Sequence, residues 1–297
     1  MTSPHATHAR ALRAAITFLA AATLIAAPVA GAQTERVVCV SKQINEFMYA
    51  IGAQGVIVGR DLTSVYPAAI TRITSVGYHR ALNAEGIVSL RPTVFLTDGN
   101  FGPDEVAQQI NKVGIPILTI KPGNSLDGAE SLLTQLGQRF HREKAADSIV
   151  SAMKSQIAAA LKDTLKWQNG KRPRVLMMHF GEIANNYLGL RKGSIGDQML
   201  RWAGGENALD SIGGMQRLTP EAIAKAAPDI IIATEVGFDR LGSAEKFAAM
   251  PGVDLTPAGK AHRIYRLEED YLMYYGPRTA EGVRRIEGLL HPQSGKH

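Results

Sequence analysis

The sequence predicts an α/β protein built as two pseudo-repeated, Rossmann-like lobes with central parallel sheets, joined by a long interlobe helix. Three observations carry this prediction. Short β-branched runs alternate with helical stretches in both halves of the chain, which is the pattern of a parallel sheet. The middle, from Leu126 to Trp167, has helical spacing and almost no strand signal. A cap–glutamate–helix–proline–strand unit occurs twice at a constant offset.

Residues 1–32 stand apart from this pattern. Arg10 and Arg13 precede an apolar, alanine-rich run from Ala14 to Val29, and Ala30-Gly31-Ala32 supplies small residues for cleavage. This reads as a secretory signal peptide, because the apolar run is too short to span a bilayer. The mature chain is then expected to start near Gln33. Cys39 lacks the small residues that precede a lipid-anchored cysteine, and as the one cysteine it has no disulfide partner.

Residues 33–125 form the expected first lobe. Arg36 to Val40 reads as a strand, Ser41 to Ile51 as a helix capped at Ser41 or Asn45, and Val56 to Gly59 as a second strand. Glu85 to Leu90 is a short helix capped by Asn83, and Val94 to Thr97 is a buried strand. A helix from Pro103 to Val113 stops at Gly114, and Ile115 to Ile120 is a further strand.

The expected interlobe segment is 126–170. Leu132, Leu133, Leu136 and Phe140, then Ile149, Met153, Ile157, Leu161 and Leu165, recur at helical spacing. They predict a short helix and then a long one beginning near Arg142. The second lobe, 171–297, has strands at Val175–Met178, Ile230–Ala233 and Ile264–Leu267. Its helices are Ser194–Ala203, Thr219–Ala226 and Pro277–Leu290.

The repeat is quantitative. Glu85 and Glu221 are 136 positions apart (221 − 85), as are Pro92 and Pro228 (228 − 92). The leading strands, at Val37 and Val175, are 138 apart (175 − 37). Two lobes joined by a helical segment leave a cleft, and ligands of open α/β sheets bind beyond the carboxyl ends of the strands.

Composition excludes several classes. The formal charge of +6 falls to +4 without Arg10 and Arg13, and no basic stripe with interleaved aromatics suggests nucleic acid. No later segment is apolar for long enough to cross a membrane. There is no G-x-S-x-G elbow, no H-E-x-x-H, no C-x-x-C and no glycine-rich loop after the first strand. The mature histidines (His79, His141, His179, His262, His291 and His297) are dispersed. An enzyme is therefore not expected.

One loop carries more chemistry than its surroundings: Ser75-Val76-Gly77-Tyr78-His79-Arg80-Ala81-Leu82-Asn83. It lies between the first pair of strands and the Glu85 helix, on the cleft side. A tyrosine can bind ferric iron as phenolate. A nearby cation such as Arg80 favours that ionised form. From spacing alone the simpler reading is that Tyr78 packs its ring at a lobe edge and Arg80 is a solvated charge.

Val37-Val38-Cys39-Val40, Ile51-Gly52-Ala53, Val58-Gly59-Arg60-Asp61-Leu62-Thr63-Ser64 and Tyr66-Pro67 resemble the opening of the solute-binding proteins with a rigid helical backbone. That family serves cobalamin, siderophore and haem importers. Ser75 to Ile87 is similar to the haem-binding branch, whose motif is close to V-G-Y-x-R-x-L-S-A-E-G-I. Ala203-Gly204-Gly205-Glu206-Asn207 and Gly276-Pro277-Arg278-Thr279 also match, so the resemblance covers the mature chain. Asn83 departs from the motif's serine, and His79 fills its variable position.

The resemblance implies a periplasmic, monomeric binding protein that carries haem b to an inner-membrane ABC permease and its ATPase. Tyr78 would be the axial tyrosinate and Arg80 its support, with His79 alongside, either as a second ligand or, since adjacent loop residues seldom converge on one metal face, pointing away from the iron. His179, ending a second-lobe strand, would be a second-lobe haem contact or a hydrogen-bonded strand-end histidine. Arg191 and Lys192 would face the propionates or simply solvent. Glu85 and Glu221 would dock to arginines of the permease, besides favouring their helix N-termini. A siderophore or corrinoid receptor of the same fold is the alternative.

Overall fold

The first lobe is a four-stranded sheet with helices on both faces. In chain order it contains β1 (Val37–Val40), α1 (Lys42–Ala50), β2 (Ile57–Arg60), α2 (Ala84–Ser89), β3 (Val94–Thr97), α3 (Asp104–Lys112) and β4 (Ile117–Thr119). The computed structural model describes residues 35–167, 170–180 and 187–292, so the expected leader and His297 lie outside the described residues. The strands are all parallel, in the order β2-β1-β3-β4. Side chains alternate across a strand. Val38, Val40 and Phe95 therefore pack outward with Ile87 of α2 and Val106 and Ile110 of α3. Val37, Cys39, Val94 and Leu96 pack inward with Ile44 and Phe47 of α1. Ser41, not Asn45, caps α1 by accepting the Ile44 amide.

Two helices follow, α4 (Leu126–Arg139) and α5 (Glu143–Thr164). The 22 residues of α5 extend about 33 Å. Its buried residues, Ala146, Met153, Ile157, Ala160 and Thr164, recur at three, four or seven positions and so make one stripe.

The second lobe contains β5 (Arg174–Phe180), β6 (Tyr187–Leu190), α6 (Ile195–Trp202), β7 (Glu206–Asn207), β8 (Met215–Arg217), α7 (Pro220–Ala226), β9 (Ile230–Thr234) and α8 (Glu235–Leu241). It continues with α9 (Ala244–Ala248), α10 (Pro257–Lys260), β10 (Ile264–Leu267), α11 (Asp270–Met273) and α12 (Thr279–Leu290). Its strands run in the order β10-β9-β5-β6-β8, and β7 adds to β5. β5, β7, β9 and β10 are parallel, but β6 is antiparallel to β5 and β8 antiparallel to β6. The expected parallel sheet is thus mixed in this lobe. Between Phe180 and Tyr187 the chain is too short for a crossover helix, so β6 returns antiparallel.

The repeat survives in the pairing. Val37 of β1 faces Val94 of β3, and Val175 of β5 faces Ile230 of β9. Asn83 caps α2 through the Glu85 amide, and Thr219 caps α7 through the Ala222 amide. The inward faces of both sheets share one apolar core. It runs from Val37 and Leu96 through Leu133, Met153 and Ile157 to Val175, Ile232 and Leu290. The outward face of the second sheet has its own core around Leu176, Met178, Ile231 and Phe247. No described helix is long and apolar enough to cross a membrane.

Candidate functional site

The loop after β2 is built by the sheet itself. Residues 74–76 run parallel to the end of β2: the Arg60 amide donates to the Thr74 carbonyl and the Val76 amide to the Arg60 carbonyl. The Leu62 amide then donates to the Gly77 carbonyl at 2.8 Å. Gly77 has φ +101°, which an L side chain rarely adopts, and it turns the chain off the sheet into Tyr78. The Ala81 amide closes a turn on the Tyr78 carbonyl at 2.8 Å. Gly102, beyond β3, donates its amide to His79 and accepts that of Leu82. The backbone that carries Tyr78 is therefore pinned at the carboxyl ends of β2 and β3.

Its side chains are not pinned in the same way. Tyr78 is half-buried, and the His79 ring stands edge-on to it with centroids 4.4 Å apart. The Tyr78 hydroxyl has no hydrogen-bond partner among the described residues. The exposed Arg80 guanidinium likewise makes no ion pair or hydrogen bond there, with Tyr78 or any other described residue. Burial pushes the His79 pKa below its ordinary value, opposed by the charge of Asp61. Leu62 and Val65 are more than half exposed beside this loop, at 54% and 56%, and Tyr66 is 43% exposed. Apolar side chains left open next to a polar anchor suit a flat, largely apolar ligand.

In the second lobe His179 lies one residue from the end of β5. Its Nδ1 is 3.4 Å from the Thr234 hydroxyl at the end of β9 and 3.8 Å from Glu269. Nε2 has no partner among the described residues. Burial lowers the His179 pKa, partly offset by Glu269, so the neutral ring is favoured. Val236, 40% exposed in the first turn of α8, adds an apolar side chain at the end of β9.

Between these two ends lies Lys42, the first residue of α1. Its ammonium is 2.7 Å from Glu269 and 2.9 Å from Asp270, and its charge acts on both His79 and His179. Burial works against that charge, but Asp270 and Glu269 together hold its pKa above the usual lysine value.

Arg191 and Lys192 are not brought to these strand ends. β6 runs back from the carboxyl end of β5, so the residues after Leu190 emerge toward the opposite end of the sheet. Lys192 pairs there with Asp210 at 3.0 Å, and the Arg191 guanidinium lies against Gly213, where a Cβ would be 2.3 Å from Nη2. β8 turns back toward the cleft end and places Arg217 there instead. Leu188 faces His179 on one side and Arg217 on the other, so Arg217 stands two strand spacings, about 10 Å, from the histidine. It is exposed and without an ion pair among the described residues.

Glu85 and Glu221 are exposed in the first turns of α2 and α7. Both helices run back toward the amino end of the next strand, so both glutamates lie at the carboxyl-end side of their sheets. Hydrogen bonds from its own amide and the Thr219 side chain hold the Glu221 pKa below the usual carboxylate value.

The profile of a family described as periplasmic binding protein matches residues 37–271. Among solved structures, the periplasmic heme-binding protein RhuT from Roseiflexus sp. RS-1 is 28% identical, with a TM-score of 0.80 over 87% of this chain and 98% of that one. The periplasmic heme-binding protein BhuT in complex with two hemes is 29% identical, with a TM-score of 0.78 over the same shares. The ABC transporter substrate-binding lipoprotein YvrC of Bacillus subtilis is 25% identical over 89% of this chain and 82% of its own length. The vitamin B12-binding protein of Pectobacterium carotovorum is 23% identical over 89% and 91%.

Proposed function

We propose that this chain, which belongs to the periplasmic binding protein family, captures haem between its lobes through a Tyr78 phenolate–iron bond and delivers it to an ABC permease. The observation that carries this reading is the Tyr78 loop. A hydrogen-bonded backbone presents a phenol and, two residues on, an arginine, neither with a side-chain partner among the described residues, and exposed Leu62 and Val65 beside them. These groups face water and contribute little to the fold, whereas a ferric tetrapyrrole would engage all of them. Similarity to RhuT and BhuT supports the ligand class.

On binding, the phenol loses its proton and the phenolate oxygen ligates Fe(III), a known haem ligation mode. The Arg80 guanidinium then has an anion beside it and stabilises the ionised form. His79 packs on the ring and fixes its orientation. From the second lobe, His179 offers Nε2 toward the cleft, and Thr234 and Glu269 orient the ring through Nδ1, as partners of metal-bound histidines do. No step makes or breaks a bond of the cargo, so the protein is a carrier and not an enzyme. The leader, residues 1–32, sends it to the periplasm, and Glu85 and Glu221 dock the loaded protein to the permease.

The deciding experiment is haemin titration of the mature chain and its Tyr78→Ala variant. A high-spin tyrosinate spectrum lost in the variant is expected; an unchanged spectrum defeats the assignment. A corrinoid cargo is the second reading, favoured by the vitamin B12-binding relative. Cyanocobalamin that binds as tightly as haemin, with equal affinity in Tyr78→Ala, would establish it. The docking role predicts that Glu85→Arg with Glu221→Arg abolishes uptake and keeps haemin affinity; lost affinity contradicts it.

A further inference from the structure

We infer that α1 of the first lobe and residues 269–278 of the second form a cross-lobe latch that holds the cleft at one width and thereby slows escape of the cargo, the second part resting on the haem-carrier reading. Four residues on one face of α1, at helical spacing, make the first-lobe half. Lys42 pairs with Glu269 at 2.7 Å and with Asp270 at 2.9 Å. Gln43 Nε2 donates to the Tyr275 carbonyl at 3.0 Å. Glu46 accepts two hydrogen bonds from Arg278, at 2.9 and 2.7 Å, and one from the Tyr274 hydroxyl at 2.8 Å. Phe47 lies so close that a Cβ on Gly276 would sit 2.8 Å from its ring.

The two cationic clamps are coupled. Asp270 faces both Lys42 and Arg278, the latter at 3.1 Å. Arg278 also stacks on Tyr66 of the first lobe, 3.7 Å from its ring centroid. Glu46 and Arg278 are only 4% and 13% exposed, so their attraction is poorly screened, and removal of Arg278 leaves the buried Glu46 carboxylate without the cation that pairs with it. Apart from Asp270–Arg278, which couples the clamps within the second lobe, each contact joins residues more than 200 positions apart on opposite lobes. α5 and the apolar core shared by the inward faces of both sheets already join the lobes. The polar network adds a further tie at the base of the cleft, where the Lys42 charge reaches both His79 and His179.

The test uses the mature chain spin-labelled at Ser89→Cys in α2 and Lys225→Cys in α7, both exposed, with the one native cysteine buried. The parent is expected to give a narrow interlobe distance distribution. Lys42→Met, Arg278→Met and Gly276→Ala should broaden and lengthen it in the ligand-free protein, and Lys42→Arg should restore it. Haemin transfer from the same variants to an apo-globin acceptor should speed up about tenfold, the scale of a typical coupling between sites. Should Arg278→Met fail to fold, Lys42→Met carries the test, since that ammonium is 24% exposed. Unchanged distributions in Lys42→Met and Gly276→Ala overturn the latch. Broadened distributions with unaltered haemin transfer overturn its control of escape. A parent that shows the latch in its distances but binds no haemin defeats the haem reading and leaves the latch standing.

Discussion

The two strand-end regions that face the cleft are wired in opposite ways. In the first lobe the backbone of Tyr78 is fixed by hydrogen bonds to β2 and to Gly102, and the side chains of Tyr78 and Arg80 are left without partners among the described residues. In the second lobe His179 has side-chain partners at Nδ1: the Thr234 hydroxyl, the Glu269 carboxylate and, through Glu269, the Lys42 charge. Groups held in place but unsatisfied are available to a ligand. Contacts already made commit a group to the fold, because breaking them costs what the ligand gains, so His179 keeps only Nε2, without a partner among the described residues, for a ligand. On the proposed haem-carrier reading, the first lobe is the anchor for the cargo and the second lobe is the brace.

The largest effect should follow from removing one oxygen in the first lobe. Tyr78→Phe keeps the ring that packs on His79 and deletes the ligand. Haemin affinity should fall on the order of a hundredfold, since even outer-shell partners of a metal ligand carry 10–100-fold. A drop under threefold by absorbance titration would erase the contrast between the lobes. Arg80→Ala should cost about tenfold in affinity and leave thermal stability unchanged, because the guanidinium makes no ion pair or hydrogen bond among the described residues. A lowered melting temperature would show that Arg80 belongs to the fold after all.

A smaller effect is expected in the second lobe. His179→Ala should change haemin affinity less than Arg80→Ala does and remove whatever low-spin component the ferric spectrum contains. An effect equal to that of Tyr78→Phe would make both lobes anchors. The smallest effect concerns a histidine away from the cleft. His291 stacks on Trp167 with centroids 3.7 Å apart, its Nε2 is buried without a partner among the described residues, and burial lowers its pKa from 6.5. A depressed folded pKa means the unfolded chain binds the proton more readily. The stability is therefore present above about pH 6.5 and is lost as pH falls through the depressed value. Melting temperature should drop more steeply between pH 7 and 5 in the wild type than in His291→Gln; parallel curves would place the acid sensitivity at other groups.

Much of the fold is legible in the sequence because it rests on local signals. Val94–Thr97 and Ile264–Leu267 are strands over the expected residues, and α5 starts beside Arg142 as its spacing requires. The cap residues Ser41, Asn83 and Thr219 act where they stand. β6 and β8 were not legible: Tyr187-Leu188-Gly189-Leu190 and Met215-Gln216-Arg217 are too short, and too mixed in polarity, to announce strands. They exist because each has the other or β5 to pair with. The same two strands decide which cation reaches the cleft end. Arg191 and Lys192 look well placed in a linear reading, and the reversal of β6 carries them away while β8 delivers Arg217.

By itself the sequence determined two repeated α/β units, the helical segment between them, and a Tyr-His-Arg loop at the end of a strand, because periodicity, caps and loop chemistry act over a few residues. Only the tertiary structure decided that the second sheet is mixed, that Tyr78 and Arg80 stand without side-chain hydrogen bonds or ion pairs among the described residues, and that Lys42 and Arg278 tie the lobes together. Those outcomes depend on contacts such as Lys42–Glu269 and Glu46–Arg278, between residues more than 200 positions apart. Separations of that length leave no local pattern, and only the packed core that both lobes share brings such residues within a hydrogen bond of each other.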